Sequence, residues 1–137
     1  MLKILSFTDL HKAVQDKLSK NTELSVYDVP PENEPAPLVY LEVVGKRLDP
    51  HKTMYKETFT VYIHAIASKE SNRGKTPVYD LINQVEEALT ENVILPECFQ
   101  LIGQVETGVI SMQRDESGEW HAILSFEFKV LYGYMTK

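Results

Sequence analysis

The sequence has little of what disulfides, nucleic-acid interfaces and membrane spans require. It has one cysteine, Cys98, among 137 residues, which excludes an internal disulfide and is typical of a reducing compartment. It has 14 Lys and Arg against 20 Asp and Glu, and this net charge of −6 argues against nucleic-acid binding because phosphate contacts need clustered cations. No apolar run approaches the roughly 20 residues that cross a bilayer. The start, MLKILSF, lacks a secretion signal. We therefore expect a protein made in a cytoplasm, with no membrane and no nucleic-acid specificity.

What is present is the composition of an ordinary globular chain. The sequence is 43% apolar and 25% charged, and its length fits one domain over residues 1–137. A chain of this size can bury roughly two-thirds of the surface that its unfolded form exposes. Its acidic charge keeps identical copies apart in solution, so self-assembly is expected to need a trigger or a template.

Residues 58–68, TFTVYIHAIAS, form the clearest strand pattern and predict the centre of the sheet. The odd-numbered positions are all apolar, whereas the even-numbered positions mix Thr, Tyr, His and Ile. One face is thus suited to packed helices and the other to partial solvation. We expect a core made by Phe59, Val61, Ile63, Leu81, Val85, Leu124 and Phe126.

Two segments have the apolar spacing of amphipathic helices. The first covers residues 7–20, with Ser6 as the N-cap and Asn21 ending the helix in a left-handed conformation. The second follows a polar turn at residues 69–75, with Thr76 as the cap and Pro77 at the first helical position. Its expected buried stripe is Val78, Leu81, Ile82, Val85 and Leu89.

The remaining periodic segments predict further strands. Residues 24–29 are a short edge strand, and residues 38–44 pair with the central strand. Residues 101–114 and 119–132 form a long closing hairpin around DESG, where Gly118 can take a positive φ. The chain is therefore predicted to be an α+β fold, with a mainly antiparallel sheet and two helices on one face.

Two connecting segments are predicted to be irregular. Residues 30–37, PPENEPAP, are a stiff surface connector, with a proline-rich recognition peptide as the alternative. Residues 45–57, GKRLDPHKTMYKE, are expected to be a long basic loop, either simply solvated or a protein contact that orders on assembly. The hypothetical interface residues are Lys46, Arg47, Leu48, His51, Lys52, Met54 and Tyr55.

No pattern of catalytic, cofactor-binding or metal-ligating residues stands out. The four histidines lack metal-ligand spacing, and Cys98 has no evident base nearby in the sequence. We therefore expect no enzyme activity, no cofactor and no metal. The alternative is a small α+β enzyme or ligand-binding protein that uses His64, His121 and Glu127 on the face away from the core. A closed, concave pocket there would favour this alternative, and a flat, open face would favour an interaction role.

The order of elements resembles that of a known family over nearly the whole chain. The residues that carry the resemblance are PLVYLEVVGKRLDPHKTMYKETFTVYIHAIAS, VYDLINQVEEAL and SMQRDESGEWHAILSFEFKV. They are similar to the small tail-completion proteins, also called tail terminator or tail-to-head joining proteins, of long-tailed bacteriophages and prophages.

The resemblance implies a structural virion protein without catalysis. Such proteins cap the head-proximal end of the tail tube, typically as a hexameric ring, and dock to the neck of the head. The implied partners are further copies of the chain, the tail tube protein and a head-neck connector protein. A head-completion or neck protein of the same virion is the alternative within this class.

Overall fold

A single five-stranded sheet carries both helices. A computed structural model describes residues 1–29, 35–68 and 74–133. The elements are α1 (Phe7–Asn21), β1 (Val26–Tyr27), β2 (Leu38–Asp49), β3 (Tyr55–Ile66), α2 (Thr76–Ala88), β4 (Phe99–Arg114) and β5 (Trp120–Tyr132). The strand order is β1-β2-β3-β5-β4, and every pairing is antiparallel except that of β1 with β2. The predicted α+β fold is confirmed.

The central position of β3 follows from its alternating pattern. Its odd-numbered residues pack into one core with the helices, whereas its even-numbered residues point to the opposite side of the sheet. We call these sides the helix-bearing face and the open face. The seven expected core residues are all at most 3% exposed: Phe59, Val61, Ile63, Leu81, Val85, Leu124 and Phe126.

The first helix confirms its predicted start but not its predicted end. The Ser6 side chain accepts a hydrogen bond from the Asp9 backbone N–H at 3.0 Å. Asn21 stays helical, and the next residue, Thr22, is extended. The Asn21 side chain donates to the Ala88 carbonyl at 3.0 Å, so it ties the two helix ends together. The predicted left-handed end at Asn21 is therefore wrong.

The second helix begins at Thr76, the residue predicted to be its cap. Thr76 is already helical, and Lys75 occupies the cap position without a side-chain cap bond. The first helical bond runs from the Tyr79 N–H to the Lys75 carbonyl at 3.0 Å, which is why Thr76 cannot be the cap. The predicted buried stripe of this helix is confirmed. Neither described helix is long and apolar enough to cross a membrane.

The greatest departure from expectation lies between β2 and β3. β2 continues to Asp49 and β3 starts at Tyr55, so residues 50–54 alone connect them. The prediction of a long irregular loop over residues 45–57 is therefore wrong. A register shift between Val43 and Gly45 forms a bulge, after which the ladder resumes with Gly45 opposite Thr60 and Lys46 opposite Phe59.

The closing hairpin matches its prediction, with Gly118 at a φ of +88° in its turn. β4 contains three further register shifts against β5. The short edge strand is confirmed as β1. Residues 30–34 of the proline-rich connector and residues 69–73 of the polar turn lie outside the described residues.

Leu124 offers a direct test of which face of β5 is buried. It is 0% exposed, so Leu124→Ala should lower the free energy of unfolding by roughly 2–5 kcal/mol, through lost burial and the cavity left behind. Leu48→Ala is the control, because Leu48 is 57% exposed and a surface change of this kind usually shifts stability by under about 0.5 kcal/mol. Urea denaturation measures both, and equal effects would contradict the assigned faces.

Candidate functional site

The predicted interface residues lie at one end of the sheet, on a segment that we call the β2–β3 arm and whose β3 strand also pairs with β5. It consists of residues 45–49 of β2, the connection 50–54 and residues 55–60 of β3. The bulge before it changes which residues face which side. Lys46 pairs with Phe59 on the helix-bearing face, whereas Arg47 pairs with Thr58 on the open face. The arm therefore separates its two basic strand residues onto opposite sides.

On the helix-bearing face, Lys46 neutralises a buried carboxylate. Glu57 is 5% exposed, and its Oε2 lies 3.3 Å from Lys46 Nζ. The Tyr132 hydroxyl donates to Glu57 Oε1 at 2.6 Å. Burial, and then this carboxylate, raise the pKa of Tyr132, so the phenol keeps the proton that it donates. Lys46 Nζ also lies 5.7 Å from the centre of the Phe59 ring. Lys46 thus has a structural role within its own chain.

On the open face, Arg47 joins three strands through carboxylates. Its Nε lies 3.1 Å from Asp49 Oδ1, and its Nη1 lies 3.6 Å from Glu127 Oε2 on β5. The Thr58 hydroxyl donates to Asp49, and this bond, more than the neighbouring Arg47, lowers the pKa of Asp49. A shallow depression of about 330 Å³ beside Arg47 is lined in part by Gly45 and Thr58.

The tip of the arm is its most solvent-exposed part. Leu48, His51 and Lys52 are exposed there, and Met54 is half-buried. The Met54 backbone N–H donates to His51 Nδ1 at 3.3 Å, which orders the turn. Tyr55 stacks on Tyr132 with ring centres 5.6 Å apart, so it is anchored to β5. Leu48 and Lys52 are therefore accessible to a partner at the tip, and the strands that carry the tip are held by pairing and stacking.

The structure brings His64 and His121 together, as the alternative reading required. His64 Nδ1 lies 3.0 Å from His121 Nε2, and His64 Nε2 lies 2.9 Å from Glu42 Oε1. Tyr40 stacks on His64 with ring centres 4.2 Å apart. Burial, and then the electrostatic effect of the neighbouring His64, lower the pKa of His121. These contacts connect β2, β3 and β5 across the open face.

This histidine pair does not sit in a chemical site. Glu127, the third predicted member, lies with Arg47 instead. Within residues 1–29, 35–68 and 74–133, no group of three or more His, Cys, Asp or Glu could hold a metal ion. Both helices pack on the other side of the sheet, so no described helix or strand covers the face around His64, although its neighbouring side chains leave His64 itself only 8% exposed. Such a surface suits contact with another macromolecule better than enclosure of a small ligand.

Sequence reasoning missed a second candidate surface, the edge strand β4. This strand ends the sheet, and it exposes Ile102, Val105, Val109 and Ile110 by 40–50%. Its three register shifts disturb the alternation, so its apolar residues escaped the period-two pattern. The available signal was Gly103 and Gly108 within one strand, because glycine inside a strand often marks a bulge.

A pair of carboxyl groups lies on the helix-bearing side of β4. Glu106 is opposite Phe126 in the ladder and interacts with Glu86 of α2. Burial, and then the Glu86 carboxyl, raise the pKa of Glu106 to about 7. No ion pair among the described residues supplies a cation to either carboxyl. This pair leaves negative charge unneutralised beside the free edge.

Comparison with known proteins gives the chain its class. A chain from a structure titled "Virion of native gene transfer agent (GTA) particle" shares the fold, with a TM-score of 0.68 at 19% identity. The match covers 92% of this chain and 99% of that chain. A search of curated protein sequences finds no significant match.

A family model described as "Putative tail termination protein" matches residues 1–137. Fold and family match together define a structural protein of a phage-like virion. The chain belongs to the phage tail terminator family.

The buried Glu57 carboxylate makes Lys46 a testable part of the fold. Lys46→Met should lower the free energy of unfolding by roughly 1–3 kcal/mol, because it leaves a buried acceptor without its cation. Adding Glu57→Gln should recover part of this loss. Lys52→Met on the exposed tip is the matched control. If urea denaturation gives Lys46→Met and Lys52→Met the same stability, the Lys46–Glu57 pair contributes nothing.

Glu106 should make stability depend on pH. Its pKa is raised on folding, so its favourable contribution is present below the ordinary value of 4.5 and is lost as pH rises through about 7. Glu106→Gln cannot ionise, so its stability relative to the parent protein should increase between pH 5 and pH 8. Melting temperatures across this range measure the effect, with exposed Glu116→Gln as the control. Parallel curves for Glu106→Gln and the parent would contradict it.

Proposed function

We propose that this chain caps the head-proximal end of a phage tail tube and joins it to the neck of the head, without catalysis. The observation that carries the proposal is the family match over residues 1–137. The open sheet face supports it, because that face presents a broad surface and no metal-ligating group among the described residues.

The proposed oligomer is a ring of identical copies, with a hexamer as the expected number. The net charge of −6 disfavours spontaneous association of copies in dilute solution. The tail end would then act as the template on which copies assemble. Before assembly the chain would be a single-domain protein of the host cytoplasm, and afterwards a component of the tail–head junction.

The β2–β3 arm is the proposed contact with the tube or the neck. Its exposed tip carries Leu48, His51 and Lys52, while Met54 and Tyr55 stand at its base. Lys46 and Arg47 already have carboxylate partners in their own chain, so they contribute to the contact by fixing the conformation of the arm. A paired arm loses less conformational entropy on binding than a free loop would.

A head-completion or neck protein of the same virion is the second candidate function. The exposed tip of the arm could also make the contacts of a neck protein. The two candidate functions therefore differ in where the protein binds in the particle. The alternative of an enzyme or ligand-binding protein at His64 and His121 is weakened by the uncovered face on which they lie.

Electron microscopy of the purified protein mixed with tail tubes tests the proposal. The expected result is a ring at one end of each tube, and addition of heads should then yield joined particles. Rings found only on isolated heads would favour the neck role. A protein that binds neither tubes nor heads would contradict both virion roles.

The tip of the arm should matter for assembly and not for folding. Leu48→Ser with Lys52→Glu changes two exposed side chains without adding a carboxylate opposite Glu57, and it should leave the melting temperature nearly unchanged while abolishing ring formation on tubes. Arg47→Glu is unsuitable, because it would place a third carboxylate beside Asp49 and Glu127. Tyr79→Asp is the control, since Tyr79 is 52% exposed on α2. Normal capping by the double variant would show that the contact lies elsewhere.

A further inference from the structure

Two long backbone edges of the sheet have no strand partner among the described residues. β4 ends the sheet on one side. On the other side, β1 pairs with β2 through Val39 and Tyr40, and the outer edge of β2 from residue 41 to residue 49 is left uncovered by a described strand. Unpaired N–H and C=O groups along such edges are a template for a further strand.

These two edges run in directions that fit each other. β2 and β5 are both antiparallel to β3, and β4 is antiparallel to β5. β4 is therefore antiparallel to β2. If two copies lie side by side with the same orientation, β4 of one meets β2 of the next as an antiparallel pair. The two edges differ, so the contact is head-to-tail and can close into a ring.

We propose that β4 of one copy pairs in this way with residues 41–48 of β2 in the next copy, so that one sheet continues around the ring. The proposal deepens the ring of the proposed function and rests on it. The partner is a second copy of this chain, because the two complementary edges occur together in every copy.

Apolar exposure favours closure of these edges. Ile102, Val105, Val109 and Ile110 on β4 are each at least 40% exposed. Val44 and Leu48 on β2 are 41% and 57% exposed. Pairing of the two strands would bring Val109 against Val43 of the next copy and remove part of the exposed apolar surface of both edges from water. The three bulges of β4 weaken the pairing of isolated copies, which suits assembly on a template.

The groove beside the free edge of β2 contains an unsatisfied polar atom. A depression of about 390 Å³ lies between α1 and β2, and it is lined in part by Phe7, His11, Leu41 and Val43. His11 Nε2 is buried and has no hydrogen-bond partner among the described residues. Buried ring nitrogens usually have a partner, so the groove lacks a polar group that an incoming strand can provide.

Charge selects a register for the pairing. Lys46 on β2 and Glu106 on β4 both lie on the helix-bearing face, opposite Phe59 and Phe126 in their own ladders. A register with Lys46 opposite Glu106 of the neighbour also places Val43 opposite Val109. Each strand has one of its bulges between these two positions, so the interruptions coincide. In this register Lys46, while still paired with Glu57 of its own chain, also lies next to the Glu86–Glu106 pair, which has no cation among the described ion pairs.

Disulfide trapping tests the contact directly. Val43→Cys and Val109→Cys are made separately in a Cys98→Ser background, since Cys98 is the chain's one exposed native thiol. Directly opposite residues in an antiparallel pair have Cβ atoms close enough for a disulfide. Rings assembled on tail tubes from a mixture of the two variants should give covalent dimers on oxidation. A chain carrying both changes should give a ladder that ends at the closed ring.

The single variants and an off-edge pair are the controls. Val109→Cys alone should give no covalent dimer. A covalent dimer from this single variant would show that two β4 strands pair symmetrically, and it would overturn the head-to-tail contact. Ile94 is 77% exposed and does not lie on either edge. A mixture of Ile94→Cys and Val43→Cys should therefore form rings but give no covalent dimer on oxidation. Cross-linking of Val43→Cys to the tube protein would also overturn the proposal.

The result separates this contact from the proposed function. Rings on tube ends without cross-links would overturn the edge pairing and leave the capping role in place. A cross-linked ladder from a protein that never binds tubes would support the pairing and overturn the capping role. Val105→Lys gives an independent measurement, because a lysine on the edge should prevent rings while Ile94→Lys should not. Rings of normal yield from Val105→Lys would overturn the pairing.

Discussion

One-sided burial of β3 is the constraint on which the rest of the structure depends. Its inward residues from Phe59 to Ala67 are at most 1% exposed beneath both helices, and it pairs with a neighbour on each side. Because α1 and α2 cover one face, the other face must be stabilised by contacts within the sheet. The chain of Glu42, His64 and His121 and the ion pairs of Arg47 provide these contacts. The same division leaves a broad surface for assembly.

The charges of the β2–β3 arm are used mainly to build the arm. Glu57 is buried between Lys46 and Tyr132, and Asp49 is held by Thr58 and Arg47. A segment predicted to be basic and solvated is therefore a paired hairpin in which two of the four basic residues, Lys46 and Arg47, are bound to carboxylates. The cationic groups fix its geometry, and the exposed tip is left to make contact. A partner would meet a surface whose shape is already set.

The sequence predicted well those elements whose two faces differ in polarity throughout. The stripe of α2 and the alternation of β3 and β5 needed no knowledge of tertiary contacts. The predicted β2 was too short, because the bulge reverses the alternation of apolar and polar residues at the point where the charged residues begin. The apolar edge of β4 was missed for the same reason. The end of α1 depends on the bond from Asn21 to Ala88, a contact between residues far apart in the chain. Which residues touch a partner remains a prediction, because a single chain carries no record of its neighbour.

The bulge between Val43 and Gly45 has a consequence for how such proteins can change over generations. Upstream of it odd-numbered residues face the helices, and downstream even-numbered residues do. Val44 is the extra residue of the bulge, so loss of its codon would join the pair of Val43 and Val61 directly to the pair of Gly45 and Thr60. Lys46 and Arg47 would keep their partners Phe59 and Thr58, and Glu57 would keep its cation. A lineage could thereby straighten this strand in a single genetic event without disturbing the chemistry on either side of the arm.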